Sequence, residues 1–358
     1  MSVMGAASGD PVPPSVARLC PTAAPPRPAR CSPTQRLRRA QAHRGSVTTS
    51  AAPVIEVADL RKRYGRIEAL AGLTMSVQPG EIFGFLGPNG AGKTTTVKLL
   101  LGHARPTGGT GRILGLPIGN REARRRIGYL PELFRYQPWL QARELLALHA
   151  DLMGLPRVGR GKAFDDILGL VGLADRAGHR VGSFSKGMQQ RLGLGVALVG
   201  DPDLVVLDEP TSALDPIGRI DVRNILRTVR QRGAAVFLNS HLLSEVEQVC
   251  DRVAIVDRGR VVVAGRLEEV LGERETRVRL DGLAADALAE LADFGDLRRE
   301  GLDLVVRALA EERVPDLVAA LVAHGARIHE VSSGRESLEQ RFLDLVGRNH
   351  EPTNPVSS

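Results

Sequence analysis

Eight consecutive residues, Gly87-Pro88-Asn89-Gly90-Ala91-Gly92-Lys93-Thr94, have the types and spacing needed to bind a chain of phosphates. They fit the pattern G-x-x-x-x-G-K-[ST]. Glycines let successive backbone N–H groups turn inward and approach an anion with no Cβ in the way. Lys93 can hold terminal phosphates, and the Thr94 hydroxyl can sit on Mg²⁺. A helix expected from Thr95-Thr96-Val97 onward would aim about half a positive charge at the same anion. The bland alternative is a glycine-rich turn with an ordinary lysine behind it. Upstream, Glu81–Leu86 reads as a buried strand, which supplies the strand–loop–helix setting the motif requires.

A second chemical stretch is Leu204-Val205-Val206-Leu207-Asp208-Glu209-Pro210. Four apolar residues predict a buried strand, with two carboxylates at the end where open α/β sheets bind ligands. Adjacent strand residues point to opposite faces, so the two acids can hold different jobs. Asp208 can reach an Mg²⁺ shell, and Glu209 can face an attacking water. Two acids there are costly unless something positive lies nearby. His241 directly follows another apolar run, Ala235-Val236-Phe237-Leu238. It can contact a terminal phosphate or serve as a structural histidine. Ser185 precedes a helical pattern carrying Leu192, Val196 and Val199. It can be a plain N-cap or, with Gly187 and the free helix end, a second anion site. Tyr64 sits on a polar segment upstream of the glycine-rich loop, either stacking on a flat base or packing as an edge-strand residue.

These residues need elements to position them. At 358 residues the chain suggests about two domains, and 43% hydrophobic content suffices for a core. The net charge of +7 is uneven. Residues 1–50 hold seven arginines and one acid, or +6, leaving +1 for the rest. A near-neutral folded part does not imply a nucleic-acid surface. Three cysteines, two of them in the first 50 residues, form no disulfide framework or zinc spacing. No apolar run approaches the length of a membrane span, so any spans belong to other chains.

Residues 1–52 are Pro-, Ala- and Arg-rich and are expected to be disordered. Their composition has something of a transit peptide. A nonfunctional extension is the preferred reading, because no amphipathic helix emerges. Residues 53–270 form the first domain, beginning with a β-rich part. Phe134, Tyr136 and Trp139 crowd one short loop, Phe134–Leu140. That loop is either a partner surface, since Trp, Tyr and Arg dominate interface energetics, or a small hydrophobic subcore. The run Arg124-Arg125-Arg126 reads as a solvated helix face. Leu145, Leu148 and Leu152 are spaced as a helical stripe, as are Ile217, Ile220, Ile225 and Val229. Residues 271–348 predict a separate α+β domain with a helix over Val314–Leu321 and a last helix at Leu338, Phe342 and Leu345. Residues 349–358 are a polar tail.

Taken together and in this order, the motifs resemble the ATP-binding cassette (ABC) family of transport ATPases, over residues 53–270. Gly87–Thr94 matches the Walker A loop and Leu204–Glu209 Walker B. Ser185-Lys186-Gly187-Met188-Gln189 looks like the signature usually written LSGGQ. Ser212–Asp215 matches the D-loop, His241 the switch histidine and Tyr64 the adenine-stacking aromatic. Lys186 stands where glycine is usual, and Glu132 stands in place of the Q-loop glutamine. Both departures resemble separate-chain ATPases of bacterial ABC-2-type exporters of drugs, lipids or polysaccharides, which carry an extra C-terminal domain.

The resemblance implies an α/β fold: a P-loop NTPase core with an antiparallel β subdomain and a helical subdomain, plus the small C-terminal domain. It implies ATP and Mg²⁺ as ligands. Nucleotide contacts fall on Tyr64, on Gly87 to Thr95 (Gly87, Pro88, Asn89, Gly90, Ala91, Gly92, Lys93, Thr94 and Thr95), and in trans on Ser185, Gly187, Gln189 and Asp215. Metal contacts fall on Thr94, Glu132 and Asp208, and catalysis on Glu209, His241 and Lys93. It also implies ATP hydrolysis through ATP-driven homodimerisation, a separate integral membrane permease, no nucleic acid, and a place on the cytoplasmic face of the cell membrane. The loop Phe134–Leu140 would receive a helix of that permease. The competing reading is a soluble ABC ATPase acting on ribosomes or DNA.

Overall fold

The computed structural model describes residues 52–347, apart from positions 213, 285, 286, 308 and 336. The expectations for residues 1–51 and 348–358 lie outside the described residues.

Strands alternate with helices through the first two-thirds of the chain. β1 (Ile55–Tyr64) and β2 (Ile67–Val77) form a hairpin. β3 (Ile82–Leu86) leads into the helix Lys93–Leu100. β4 (Gly108–Ile113), β5 (Leu116–Pro117) and β6 (Ile127–Leu130) follow, then the helices Ala142–Leu152, Arg160–Leu170 and Lys186–Ala197. β7 (Leu204–Asp208), β8 (Ala235–Asn239), β9 (Arg252–Asp257) and β10 (Arg260–Arg266) complete this part. An antiparallel sheet has the order β2-β1-β4-β5, and a central sheet the order β10-β9-β3-β8-β7-β6. In the central sheet β9, β3, β8, β7 and β6 run parallel, with β10 antiparallel at one edge.

The central strands are continuous apolar runs because both faces are covered. Along β3, Ile82 and Leu86 join the core shared with the helices. Phe83 and Phe85 face the core shared with the antiparallel sheet and the helix Lys93–Leu100. Phe237 of β8 packs against both phenylalanines, with ring centroids 6.0 and 5.2 Å apart. This buried sheet ends at the Gly87 loop, at Asp208 and at Asn239, on one edge.

The helix Lys186–Ala197 lies close on β6. A Cβ on Gly128 would sit 1.9 Å from the Ala197 carbonyl oxygen. Overpacking of a tight core costs about 1–3 kcal/mol, so Gly128→Ala is expected to lower the thermal midpoint by several degrees. A midpoint equal to wild type in a melting experiment would show that the contact is not tight.

Two helical stripes are rotated from expectation. On Ala142–Leu152 the buried residues are Ala142, Leu145, Leu146 and Ala150, whereas Leu148 and Leu152 are exposed. On Pro216–Gln231 the buried face is Val222, Ile225, Leu226 and Val229, and Ile217 is 71% exposed with Ile220 also outward. Small residues and overlapping apolar spacings hid the true inward face.

A third sheet has the order β12-β13-β11-β14, built from β11 (Arg274–Asp281), β12 (Asp296–Glu300), β13 (Asp303–Arg307) and β14 (Arg327–Arg335). It packs with the helix Val314–Ala323 around Val278, Leu280, Leu304, Val306, Leu317 and Leu321. The last helix, Leu338–Gly347, instead joins the first part of the chain. Leu338 and Val346 belong to the core of the central sheet, with Phe342 and Leu345 against it. The Leu338 N–H donates to Glu247 Oε2 at 3.0 Å, and Arg341 Nε to the Val270 carbonyl at 3.1 Å. The expected boundary at 271 therefore separates the third sheet but not the final helix.

Candidate functional site

The glycine-rich loop leaves β3 at the fully buried Leu86 and enters its helix through Gly92. Gly92 has φ +102°, and a Cβ there would lie 2.6 Å from the Ala69 carbonyl, so only glycine fits. The first turn of the helix carries no acid, leaving its N–H groups free of a competing anion. Lys93 Nζ folds back and donates to the carbonyls of Gly87 at 2.7 Å and Pro88 at 3.1 Å. Thr94 is exposed and Thr95 half-buried. The buried Thr96 hydroxyl donates to the Gly92 carbonyl at 3.0 Å, pinning the turn.

The acids converge on this lysine. Asp208 ends β7 directly opposite Asn239 of β8 and is buried. Asn239 Nδ2 donates to Asp208 Oδ1. Glu209 follows the strand with φ +52°, a left-handed conformation unusual for a side-chain-bearing residue. The alternation expected of adjacent strand residues thus stops at Asp208, and a turn aims Glu209. Its N–H donates to the Asn239 carbonyl at 2.9 Å, and its Oε2 lies 2.8 Å from His241 Nδ1. Burial pushes the Asp208 carboxyl above its usual range, opposed by the Asn239 amide and Lys93, with Glu132 adding to the rise. Burial likewise raises Glu209, opposed by His241 and Lys93. Burial pulls the Lys93 ammonium down, while Glu209, Asp208 and Glu132 hold it up. Lys93, Asp208, Glu209 and Glu132 therefore share one electrostatic neighbourhood, with His241 at its exposed rim.

The remaining predicted residues lie around it. Ser185 caps the helix Lys186–Ala197, its hydroxyl accepting from the Met188 N–H at 3.3 Å. Gln189 Nε2 donates to the Phe184 carbonyl at 3.1 Å, and Gly187 is half-buried. Among the described residues no hydrogen bond or ion pair joins Ser185–Gln189 to the glycine-rich loop. Asp215 caps its own helix, accepting from Gly218 N–H at 2.8 Å. Tyr64 ends β1, half-exposed, with Lys62 Nζ 4.8 Å from its ring centre. The aromatic loop divides in two. Phe134 and Tyr136 turn inward with ring centroids 4.9 Å apart, and burial pushes the Tyr136 hydroxyl up. Leu133 and Trp139 stay 88% and 67% exposed. Phe134 and Tyr136 thus form a small hydrophobic subcore, while Leu133 and Trp139 face outward.

Two residues of the site escaped sequence reasoning. Asn239 braces both acids, and the buried Gln190 donates from Nε2 to the Pro210 carbonyl at 2.9 Å, tying the Ser185 helix to the residue after Glu209. The available signal was an amide at the end of an apolar run and another inside an apolar helix.

Sheet order and loop geometry are those of a P-loop ATPase core. A family model described as ABC transporter matches residues 70–212. The bacitracin transport ATP-binding protein BcrA of Bacillus licheniformis is 35% identical, over 82% of this chain and 97% of its own. Nod factor export ATP-binding protein I of Cupriavidus metallidurans is 34% identical, over 82% of this chain and 98% of its own. A solved ATP-binding subunit of an ABC transporter covers 61% of this chain and 91% of its own at 31% identity, with a TM-score of 0.56. The chain belongs to the ABC transporter ATP-binding protein family. It binds and hydrolyses ATP to power a membrane transporter. No helix among the described residues is long and apolar enough to cross a membrane.

Proposed function

We propose that two copies of this chain close on two ATP molecules and drive export through a separate membrane permease, from the cytoplasmic face of the membrane. The observation that carries the reading is the helix N-terminus capped by Ser185, which among the described residues has no hydrogen bond or ion pair to the glycine-rich loop of its own chain. Each site would join the Gly87–Thr95 loop of one copy to Ser185, Gly187 and Gln189 of the other, with Asp215 nearby. Exposed Ile217 and Ile220, on the helix that Asp215 caps, offer an apolar face beside that junction. Export is the direction that the names of the relatives support.

In this reading the loop amides and Lys93 grip the phosphates and stabilise charge developing in the transition state. Glu209 takes the proton of the attacking water, His241 orients the terminal phosphate, and Tyr64 stacks on adenine. Mg²⁺ fits the residues present. Thr94, Asp208 and Glu132 offer only oxygens, and Asn239 Oδ1 is buried beside Asp208 with no hydrogen-bond partner among the described residues. Among the described residues no cluster of three His, Cys, Asp or Glu could hold a metal alone. That suits an ion that usually takes one or two carboxylates together with substrate phosphates. Held by Thr94, Asp208 and Glu132, Mg²⁺ would supply positive charge against the phosphates. Leu133 and Trp139 would meet the permease. Residues 53–270, with the last helix packed on them, act as the ATPase domain, and the third sheet with its helix as an accessory domain.

Ser185→Arg tests the composite site. The side chain would fill the junction, and hydrolysis is expected to fall about 10²-fold, the loss typical of removing one transition-state donor. ATP affinity of the single chain, read by fluorescent-nucleotide titration, is expected to stay within about twofold. Unchanged turnover would remove the second anion site from the mechanism.

A further inference from the structure

We propose that Asn239 is a positioning residue for the magnesium ion of the proposed ATPase site: it holds Asp208 through its amide N–H and accepts from a metal-bound water through its orphaned Oδ1. The inference rests on the ATPase reading above but concerns a residue outside the family motifs.

Asn239 is 3% exposed. An amide so deep in a sheet is costly unless both its ends are matched. One end is matched, because Nδ2 donates to Asp208 Oδ1. The other is not, because Oδ1 is buried with no hydrogen-bond partner among the described residues. The two atoms belong to one planar group, so the unpaired oxygen lies beside the Asp208 carboxylate. Turning the amide over would set its oxygen against a carboxylate oxygen, so Asp208 fixes the orientation.

The backbone confines the residue as well. Asn239 sits across from Asp208 in the parallel register, and its carbonyl accepts the Glu209 N–H at 2.9 Å. One residue therefore braces both acids. Ser240 next to it is occupied locally, its Oγ accepting from the Leu242 N–H at 3.1 Å. A buried acceptor beside a carboxylate in an anion site calls for a donor that arrives with the ligand. Water bound to a divalent cation is such a donor, and its protons are more acidic than those of bulk water. Partners that orient metal ligands typically govern metal affinity by 10- to 100-fold.

The test measures Mn²⁺ binding by the electron paramagnetic resonance signal of the free ion, with and without ADP, on the full chain. Asn239→Leu keeps the branched shape and removes both hydrogen bonds. It is expected to weaken nucleotide-dependent Mn²⁺ binding about tenfold, while ADP affinity in EDTA stays within about twofold. Asn239→Asp keeps the acceptor oxygen but loses the N–H that holds Asp208, so it is expected to weaken Mn²⁺ binding, by less than Asn239→Leu. A residue needed only for folding would lose metal and metal-free nucleotide binding together in both variants, and that result overturns the proposal. Mn²⁺ affinity in Asn239→Leu within twofold of wild type overturns it too. If Asn239→Leu does not fold, Asn239→Ala takes its place with the same expectation, and Mn²⁺ affinity within twofold of wild type there is the contrary result. Failure of the wild-type chain to bind nucleotide at all would instead sink the ATPase reading.

Discussion

Glu209→Gln is expected to cut ATP turnover by about 10²–10⁴-fold, the usual worth of a positioned base, while leaving ATP affinity within a few-fold. The amide keeps the shape of the side chain, its left-handed turn and the Glu209 N–H bond to Asn239, but it cannot accept a proton from water. Burial raises the Glu209 carboxyl, so the base is protonated at a higher pH than an ordinary glutamate. Wild-type turnover should therefore fall as pH drops through that raised value, and the residual rate of the variant should not follow it. Stability runs the other way. A carboxyl whose folded-state pKa is raised holds its proton more tightly when folded, so its stabilising effect is present at low pH and lost as pH rises through that value. At neutral pH the Gln variant is expected to melt no lower than wild type. Normal turnover in the variant would assign the base elsewhere.

Lys93→Ala is expected to weaken ATP binding by roughly 10- to 100-fold, because hydrogen bonds to charged groups are worth about 1.5–3 kcal/mol. Hydrolysis falls further, since the same ammonium would stabilise the transition state. The loss has a second source. Lys93 is the cation that Asp208, Glu209 and Glu132 share. Without it those acids repel both one another and the incoming phosphates. Isothermal titration with ATP in EDTA measures the first effect. An affinity within twofold of wild type would mean that Lys93 stays on Gly87 and Pro88 when nucleotide binds.

The chemistry was legible where it is local. Gly92 could be read because a left-handed, close-packed position admits only glycine, and that constraint travels with eight residues of sequence. Asp208 could be read because four apolar residues place it at a sheet edge. Strand alternation does not account for the direction of Glu209, since a turn aims it. What sequence could not supply depends on residues far apart in the chain. The Asp208–Asn239 brace joins neighbouring parallel strands, and an amide at the end of an apolar run does not by itself name its partner. Phe134 and Trp139 look alike in sequence but differ in what packs on them. The strand Asp296–Glu300 carries no apolar alternation and exists because it pairs with Asp303–Arg307. The last helix shows the same limit: its stripe was evident, but its partners, Glu247 and Val270, lie some 70 to 90 positions earlier.

The account turns on a nucleotide held between copies, and sedimentation of Glu209→Gln reads that directly. With Mg·ATP the variant is expected to sediment at twice the mass of one chain, and without nucleotide at the mass of one. A variant that saturates with ATP yet stays at single-chain mass would contradict it.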